Sequence, residues 1–219
     1  MSRLAHEIVR GDGTGLDVPR LYLLHGFLGA GRNWSSFARR LVDLRSDWRA
    51  VTVDLRLHGD SRDLPGPHTV EAAARDVVAL HEEAGAGPAA LLGHSFGGKV
   101  ALAATALARP VPVQTWVIDS TPSAARGGRE VGRSGAGRML ARAEASPGTF
   151  ADREEAVAWI EAGGFDRATA RWMATNLERR GDEWAWALDL ASLGKLLDDF
   201  GATDLWPVVE SPPADSDVH

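Results

Sequence analysis

Residues 91–100, "LLGHSFGGKV", constrain what this chain can fold into more than any other stretch. A short apolar strand runs into Gly93-His94-Ser95-Phe96-Gly97, and a helical pattern begins directly behind it. This is the G-x-S-x-G arrangement, in which serine occupies a strand-to-helix turn so sharp that Cβ groups at its flanks would collide, hence the glycines at 93 and 97. The turn lifts the Ser95 hydroxyl above a sheet edge, at a helix N-terminus whose amides and dipole favour negative charge. A five-residue pattern of this kind also arises in ordinary glycine-rich turns. The context that separates the two is a strand before and a helix after, and both are present here.

The surrounding pattern extends the same architecture. "RLYLL" (residues 20–24) is an apolar run bounded by Pro19 and Gly26 and reads as a buried strand. Trp34, Phe37, Leu41 and Leu44 recur at helical spacing and predict a helix over 33–45. "AVTVDL" is strand-like through its β-branched residues, and Thr69 is the expected N-cap of a helix reaching residue 84. "AALLG", "GGKVALAATALAR" and "VQTWVID" continue as strand, helix and strand. Continuous apolar strands alternating with helices imply α/β class, a doubly wound and mostly parallel sheet covered on both faces. After Pro122 the character changes. A Gly-, Ser- and Arg-rich connection leads into helical patterns at 152–162, 167–180 and 184–198, with five of the eight tryptophans between 159 and 206. The expected organisation is therefore a core over 1–122, a helical cap over 123–206, and a tail over 207–219 that leads toward a strand the chain does not contain.

A serine that attacks a carbonyl needs backbone N–H groups aimed at the oxyanion that forms. "LLHGFLGAGRNW" places an HG-x loop at a strand end, so the amides of Phe27 and of Phe96, the residue after the serine, are the expected oxyanion donors. His25, Gly26, Gly93, His94 and Gly97 are expected to shape and support the loop and the elbow. His25 reads as a loop-ordering residue rather than a base.

With these motifs in place, the chain resembles the α/β-hydrolase superfamily. "LLHGFLGAGRNWSSFARRL", "VDLRLHGDS", "LLGHSFGGKVAL", "WVIDSTP" and the cap stretch "WMATNLER…WAWALDL…DLWPVV" are similar to the small YbfF-type esterases and related mitochondrial abhydrolase proteins, over roughly residues 20–213. The resemblance implies a serine hydrolase of acyl esters or thioesters with a small helical cap and neither a metal nor an organic cofactor.

The acid that orients a catalytic histidine is expected at Asp119, which ends "QTWVID" on the same sheet edge as the elbow; the resemblance places the acid there too. The base is not identified. Chain order in this superfamily runs serine, acid, histidine, and the only histidine after Asp119 is His219. It is expected near the start of a parallel strand, on the opposite edge from the site. His58 follows a strand on the correct edge but reads as ordering its own loop. His68 is expected to be solvent-exposed, and the His94 side chain to point away from its neighbour's hydroxyl. The chain thus reads as a hydrolase lacking its last strands and its histidine. In a worked triad, removing the histidine costs about 10⁶ in turnover, so activity is expected to be severely impaired.

The same residues admit other functions. A non-catalytic hydrolase-fold protein, or a truncated gene product that binds through an apolar cap pocket, is the main alternative. Gly29, Gly31 and Asp54 imitate a dinucleotide-binding βαβ unit, but Trp34 occupies the third glycine position, where its bulk opposes close helix–strand packing. No P-loop pattern occurs. The expected partner is a small-molecule acyl ester or thioester. A net charge of −6 leaves no basic footprint for nucleic acid, and no apolar run reaches the roughly 20 residues that span a bilayer. The absence of cysteine removes disulfides, thiol catalysis and cysteine-ligated metal. Asn33-Trp34-Ser35 matches a glycosylation acceptor, but no signal-peptide pattern precedes it, so an intracellular soluble protein, cytoplasmic or organellar, is expected. Oligomeric state is left open.

Overall fold

The computed structural model describes residues 4–11, 18–125, 132 and 134–219. Along the chain come β1 (His6–Val9), β2 (Arg20–Leu24), α1 (Ser35–Leu44), β3 (Arg49–Val53), α2 (Val70–Glu83), β4 (Ala89–His94), α3 (Phe96–Leu107) and β5 (Gln114–Ile118). There follow α4 (Gly135–Glu144), β6 (Thr149–Phe150), α5 (Arg153–Ala162), α6 (Arg167–Met173), β7 (Leu177–Arg180), β8 (Glu183–Trp186), α7 (Leu190–Ala202), α8 (Trp206–Glu210) and β9 (Asp217–Val218). The main sheet has the order β1-β3-β2-β4-β5-β9; only β1 runs antiparallel to its neighbour.

The strands behave as their composition dictates. In β2 the side chains alternate between faces, as the twofold period of a strand requires. Leu21 and Leu23 meet Ala38 and Val42 of α1, while Tyr22 and Leu24 join the larger core under α2 and α3. Thr69 caps α2, its hydroxyl accepting from the Ala72 amide at 3.0 Å. The helix expected from residue 33 begins at Ser35, because a 3₁₀ turn over Gly31–Trp34 leads into it. The antiparallel strand β1 is an addition: its residues are mostly exposed, so no apolar alternation announces it.

Topology then places the site. Leu24, Val53 and Gly93 lie level across the sheet, as do His94 and Ile118, so β2, β3, β4 and β5 end at one edge. The chain leaves β2 toward β3 on one side and returns to β4 on the other. Helices α1 and α3 therefore depart to opposite faces, opening a crevice at the carboxyl ends of β2 and β4.

Residues 135–202 cover that crevice. Leu140, Ile160, Met173, Leu193 and Leu196 join the same buried cluster as Leu24, Phe27 and Phe96, so the cover and the sheet share one core. This region is not helical throughout. The helical spacing read over 167–180 stops at Met173, and that read from Trp184 begins only at Leu190; between them β7 and β8 form a hairpin that pairs with β6. Gly181 and Asp182 make its two-residue turn, with Gly181 at φ +65°, a conformation open to glycine. The tail is also more than a lead-in, since Asp217 and Val218 already pair in parallel with Gln114 and Thr115. Among the described residues, no helix is long and apolar enough to cross a membrane.

Candidate active site

At the end of β4 the backbone reverses so tightly that a Cβ on Gly93 would lie 2.0 Å from the Gly97 carbonyl oxygen, and one on Gly97 would lie 2.5 Å from that of Leu24. Ser95 itself sits at φ 52°, ψ −117°, a strained conformation for a non-glycine residue, worth about 1–3 kcal/mol. The turn is held by the Ser95 amide donating to Ile118 O at 2.9 Å and by Ser95 O accepting from the Gly98 amide at 2.9 Å. Ser95 then precedes the first residue of α3, so the Phe96 amide is one of the unpaired donors of a helix N-terminus. Among the described residues, neither the Phe96 nor the Phe27 amide donates to a protein acceptor. Gly26 lies against the elbow: a Cβ there would stand 2.9 Å from His94 Nδ1 and 3.3 Å from Ser95 Cβ.

The loops that present these groups are tied together by two buried imidazoles. His25 Nε2 accepts from the Leu55 amide at 3.0 Å, and His58 Nε2 accepts from the Leu28 amide at 3.0 Å. Each Nε2 is thereby an acceptor, so each Nδ1 carries the proton and donates: His25 to Gly26 O at 2.8 Å, His58 to Arg56 O at 2.9 Å. The two rings are 5.0 Å apart. Burial pushes His25 down to about 4; burial, and then the neighbouring His25, push His58 down to about 3. Asp54 completes the brace, its two carboxylate oxygens accepting from the Gly31 amide at 2.6 Å and the Asp60 amide at 2.9 Å. The carboxylate that imitated a ribose ligand thus serves two loop amides instead.

A cavity of about 620 Å³ opens over the elbow. His25, Gly26, Phe27, His94, Ser95 and Asp119 form its floor, and Trp34, Met139, Trp172 and Phe200 supply apolar wall. Asp119, at φ +46°, extends its carboxylate into the open, 3.8 Å from His94 Nε2. So the fold brings together Ser95, Phe27, Phe96, Asp119 and His94. His94, expected to serve only the elbow, shares the cavity with the serine and faces the carboxylate. His58 is held behind the loop with both nitrogens occupied, and is absent from the cavity lining. His219 is elsewhere too: it pairs with β5 through Thr115 O and the Val117 amide, and its ring stacks 4.2 Å from that of Trp116. His68 is half-buried rather than exposed. Among the described residues, no side chain hydrogen-bonds the Ser95 hydroxyl.

Two residues that shape the site were not singled out from sequence. Asn176, buried after α6, donates from Nδ2 to Leu28 O at 2.9 Å and so ties the cover to the Phe27 loop. Lys99 lies fully buried in α3. The available signal was its charge, the one charge in the helix.

Comparison with known proteins places the chain by family and fold. Residues 19–161 match the family model described as alpha/beta hydrolase fold. The sn-1-specific diacylglycerol lipase ABHD11 of Mus musculus is 33% identical over 201 residues, covering 89% of this chain and 62% of the relative. Its counterpart in Danio rerio is 30% identical over 189 residues, covering 86% and 58%. The chain therefore spans about three fifths of the length of these relatives. A solved structure titled marine microorganism esterase superposes with a TM-score of 0.79 at 19% identity, covering 100% of this chain and 90% of the other, a likeness of fold.

Proposed function

The chain belongs to the alpha/beta hydrolase fold family, and on that premise we propose that it acts on an ester or thioester of an apolar acyl group through Ser95. The observation that carries the proposal is the strained Ser95, set beside the two unpartnered amides of Phe27 and Phe96 on the floor of an apolar-walled cavity. In this reading the Ser95 oxygen bonds to the substrate carbonyl carbon, and the carbonyl oxygen gathers negative charge between the two amides. Collapse expels the alkoxide or thiolate, which takes up the proton that left Ser95, and water then cleaves the acyl-serine ester, releasing the acid and restoring the Ser95 hydroxyl. Trp34, Met139, Trp172 and Phe200 would receive the acyl chain. The similarity to diacylglycerol lipases supports an acyl ester as the substrate class.

Asp119 is proposed as the acid. The proton leaving Ser95 needs a base, and among the described residues no imidazole is hydrogen-bonded to that hydroxyl, so we propose that turnover by this chain is weak. A worked triad without its histidine retains about 10³–10⁴ over water from the oxyanion donors and binding alone. The second reading, a hydrolase-fold module that binds acyl compounds without cleaving them, is favoured by the same missing contact.

A fluorophosphonate probe separates the two. Labelling of the wild type that is lost in Ser95→Ala, together with slow release from p-nitrophenyl esters, supports the nucleophile. No labelling and no turnover above the Ser95→Ala background would sink the catalytic reading and leave the binding module.

A further inference from the structure

Lys99 is the one charged residue of α3 and its side chain is fully buried. Its ammonium directs all three of its donors at carbonyls: Ser123 O at 2.9 Å, Phe200 O at 2.8 Å and Thr203 O at 2.9 Å. Ser123 belongs to the connection that leaves β5, whereas Phe200 and Thr203 close the C-terminal end of α7. Nζ also lies 4.4 Å from the centroid of the Phe200 ring. Among the described residues, no carboxylate approaches the ammonium within 4.0 Å, so it is satisfied by carbonyl dipoles rather than by a counter-ion.

This is an expensive way to fill a core position. Removing an ammonium from water carries a penalty of several kcal/mol, and a methionine would pack there without it. Burial does push the group down to about 8, with Asp204 and then Asp199 offsetting part of the effect. What the ammonium supplies is a bond to the last carbonyls of a helix, where partners are lacking and positive charge is favoured. Gly201 O is met by the Ala125 amide and Asp199 O by the Thr203 amide and hydroxyl, while Phe200 O is met by Lys99. Phe200 lines the cavity that holds Ser95, and its ring lies 6.2 Å from that of Phe96.

We infer that Lys99 is a positioning residue for the substrate pocket: by docking the end of α7 onto the helix behind the nucleophile, it fixes Phe200 as the wall that limits the acyl chain. The inference rests on the acyl-pocket part of the proposed function, and it makes Lys99 and Phe200 a single determinant of chain length.

The test needs no turnover. Straight-chain 2-alkanones from five to thirteen carbons are uncharged and ask nothing of the serine, and their binding is read from the change in intrinsic tryptophan fluorescence, to which Trp34 and Trp172 of the cavity wall contribute. For wild type the association constant should rise about fourfold per added CH₂, the equivalent of about 0.8 kcal/mol, and level off once the chain meets Phe200. In Lys99→Met the levelling point should move to longer ketones, and Phe200→Ala should move it the same way. A merely structural lysine would lower the melting temperature and weaken every ketone by one factor; an unmoved levelling point in folded Lys99→Met overturns the inference. Should Lys99→Met fail to fold, an unmoved levelling point in Phe200→Ala overturns it equally. Wild type that binds no ketone at all removes the acyl pocket itself, a failure seen before any variant is compared.

Discussion

Lowering the pH should strip stability from this protein through the His25–His58 brace. Both rings accept a backbone amide at Nε2 and donate from Nδ1, so neither has room for a second proton without breaking a hydrogen bond. Burial holds their pKa values near 4 and 3, against about 6.5 in the unfolded chain. Below pH 6.5 the unfolded state therefore binds protons that the folded state refuses, and stability falls with pH. The contribution is intact above pH 6.5 and is lost progressively as pH drops through the window from 6.5 to about 4 for His25 and about 3 for His58. Between pH 7 and pH 5 the linkage amounts to about 2 kcal/mol for each ring, about 4 kcal/mol together. In a chain of this size that corresponds to roughly 8–16 °C in melting temperature. Urea or thermal unfolding followed by tryptophan fluorescence at pH 7, 6 and 5 measures it. His58→Gln removes one titrating group, so its loss between pH 7 and 5 should be smaller by about 2 kcal/mol. His68 and His81, also lowered by burial, titrate in both proteins and cancel in the difference. Equal losses in the two proteins would refute the reasoning.

Two further outcomes follow from packing. Gly97→Ala must push a Cβ against the Leu24 and His25 carbonyl oxygens, at 2.5 and 2.6 Å, so it should cost about 1–3 kcal/mol and, with the elbow displaced, suppress fluorophosphonate labelling; wild-type melting and labelling would refute the steric account. Asn176→Leu leaves Leu28 O without its buried donor, and chemical denaturation should show a loss of about 1–3 kcal/mol; a neutral result would mean that the link between cover and loop carries no weight.

What could be read from sequence follows from how local the determinants are. β2 and α2 were legible because a buried parallel strand and a capped amphipathic helix each write their reason into neighbouring letters: "RLYLL" in one case, Thr69 with Val70, Ala73, Ala74 and Val77 in the other. The elbow was legible for the same reason. The β7–β8 hairpin was not, because Met173, Leu177, Trp184 and Trp186 are spaced so that a helix and a strand would bury them equally well, and only Gly181 marked the turn. β1 carries no signal, since an exposed edge strand needs no apolar face.

The site divides along the same line. Ser95, Phe27 and Phe96 hold their places through backbone geometry that short motifs encode. The farthest partners of His25, His58, Lys99 and Asn176 lie 30, 30, 104 and 148 residues away, and these acceptors and donors are main-chain groups without a residue type to recognise. That asymmetry has a physical consequence. The parts proposed to react are few and local, whereas the groups that keep the cavity in shape are dispersed, buried and polar, and each leaves an unpaired backbone group behind when it is removed. Substitutions at His58, Lys99 or Asn176 should therefore alter how the cavity is held without touching Ser95, while Ser95→Ala should silence labelling and leave the brace, the docking of α7 and the acid sensitivity as they are.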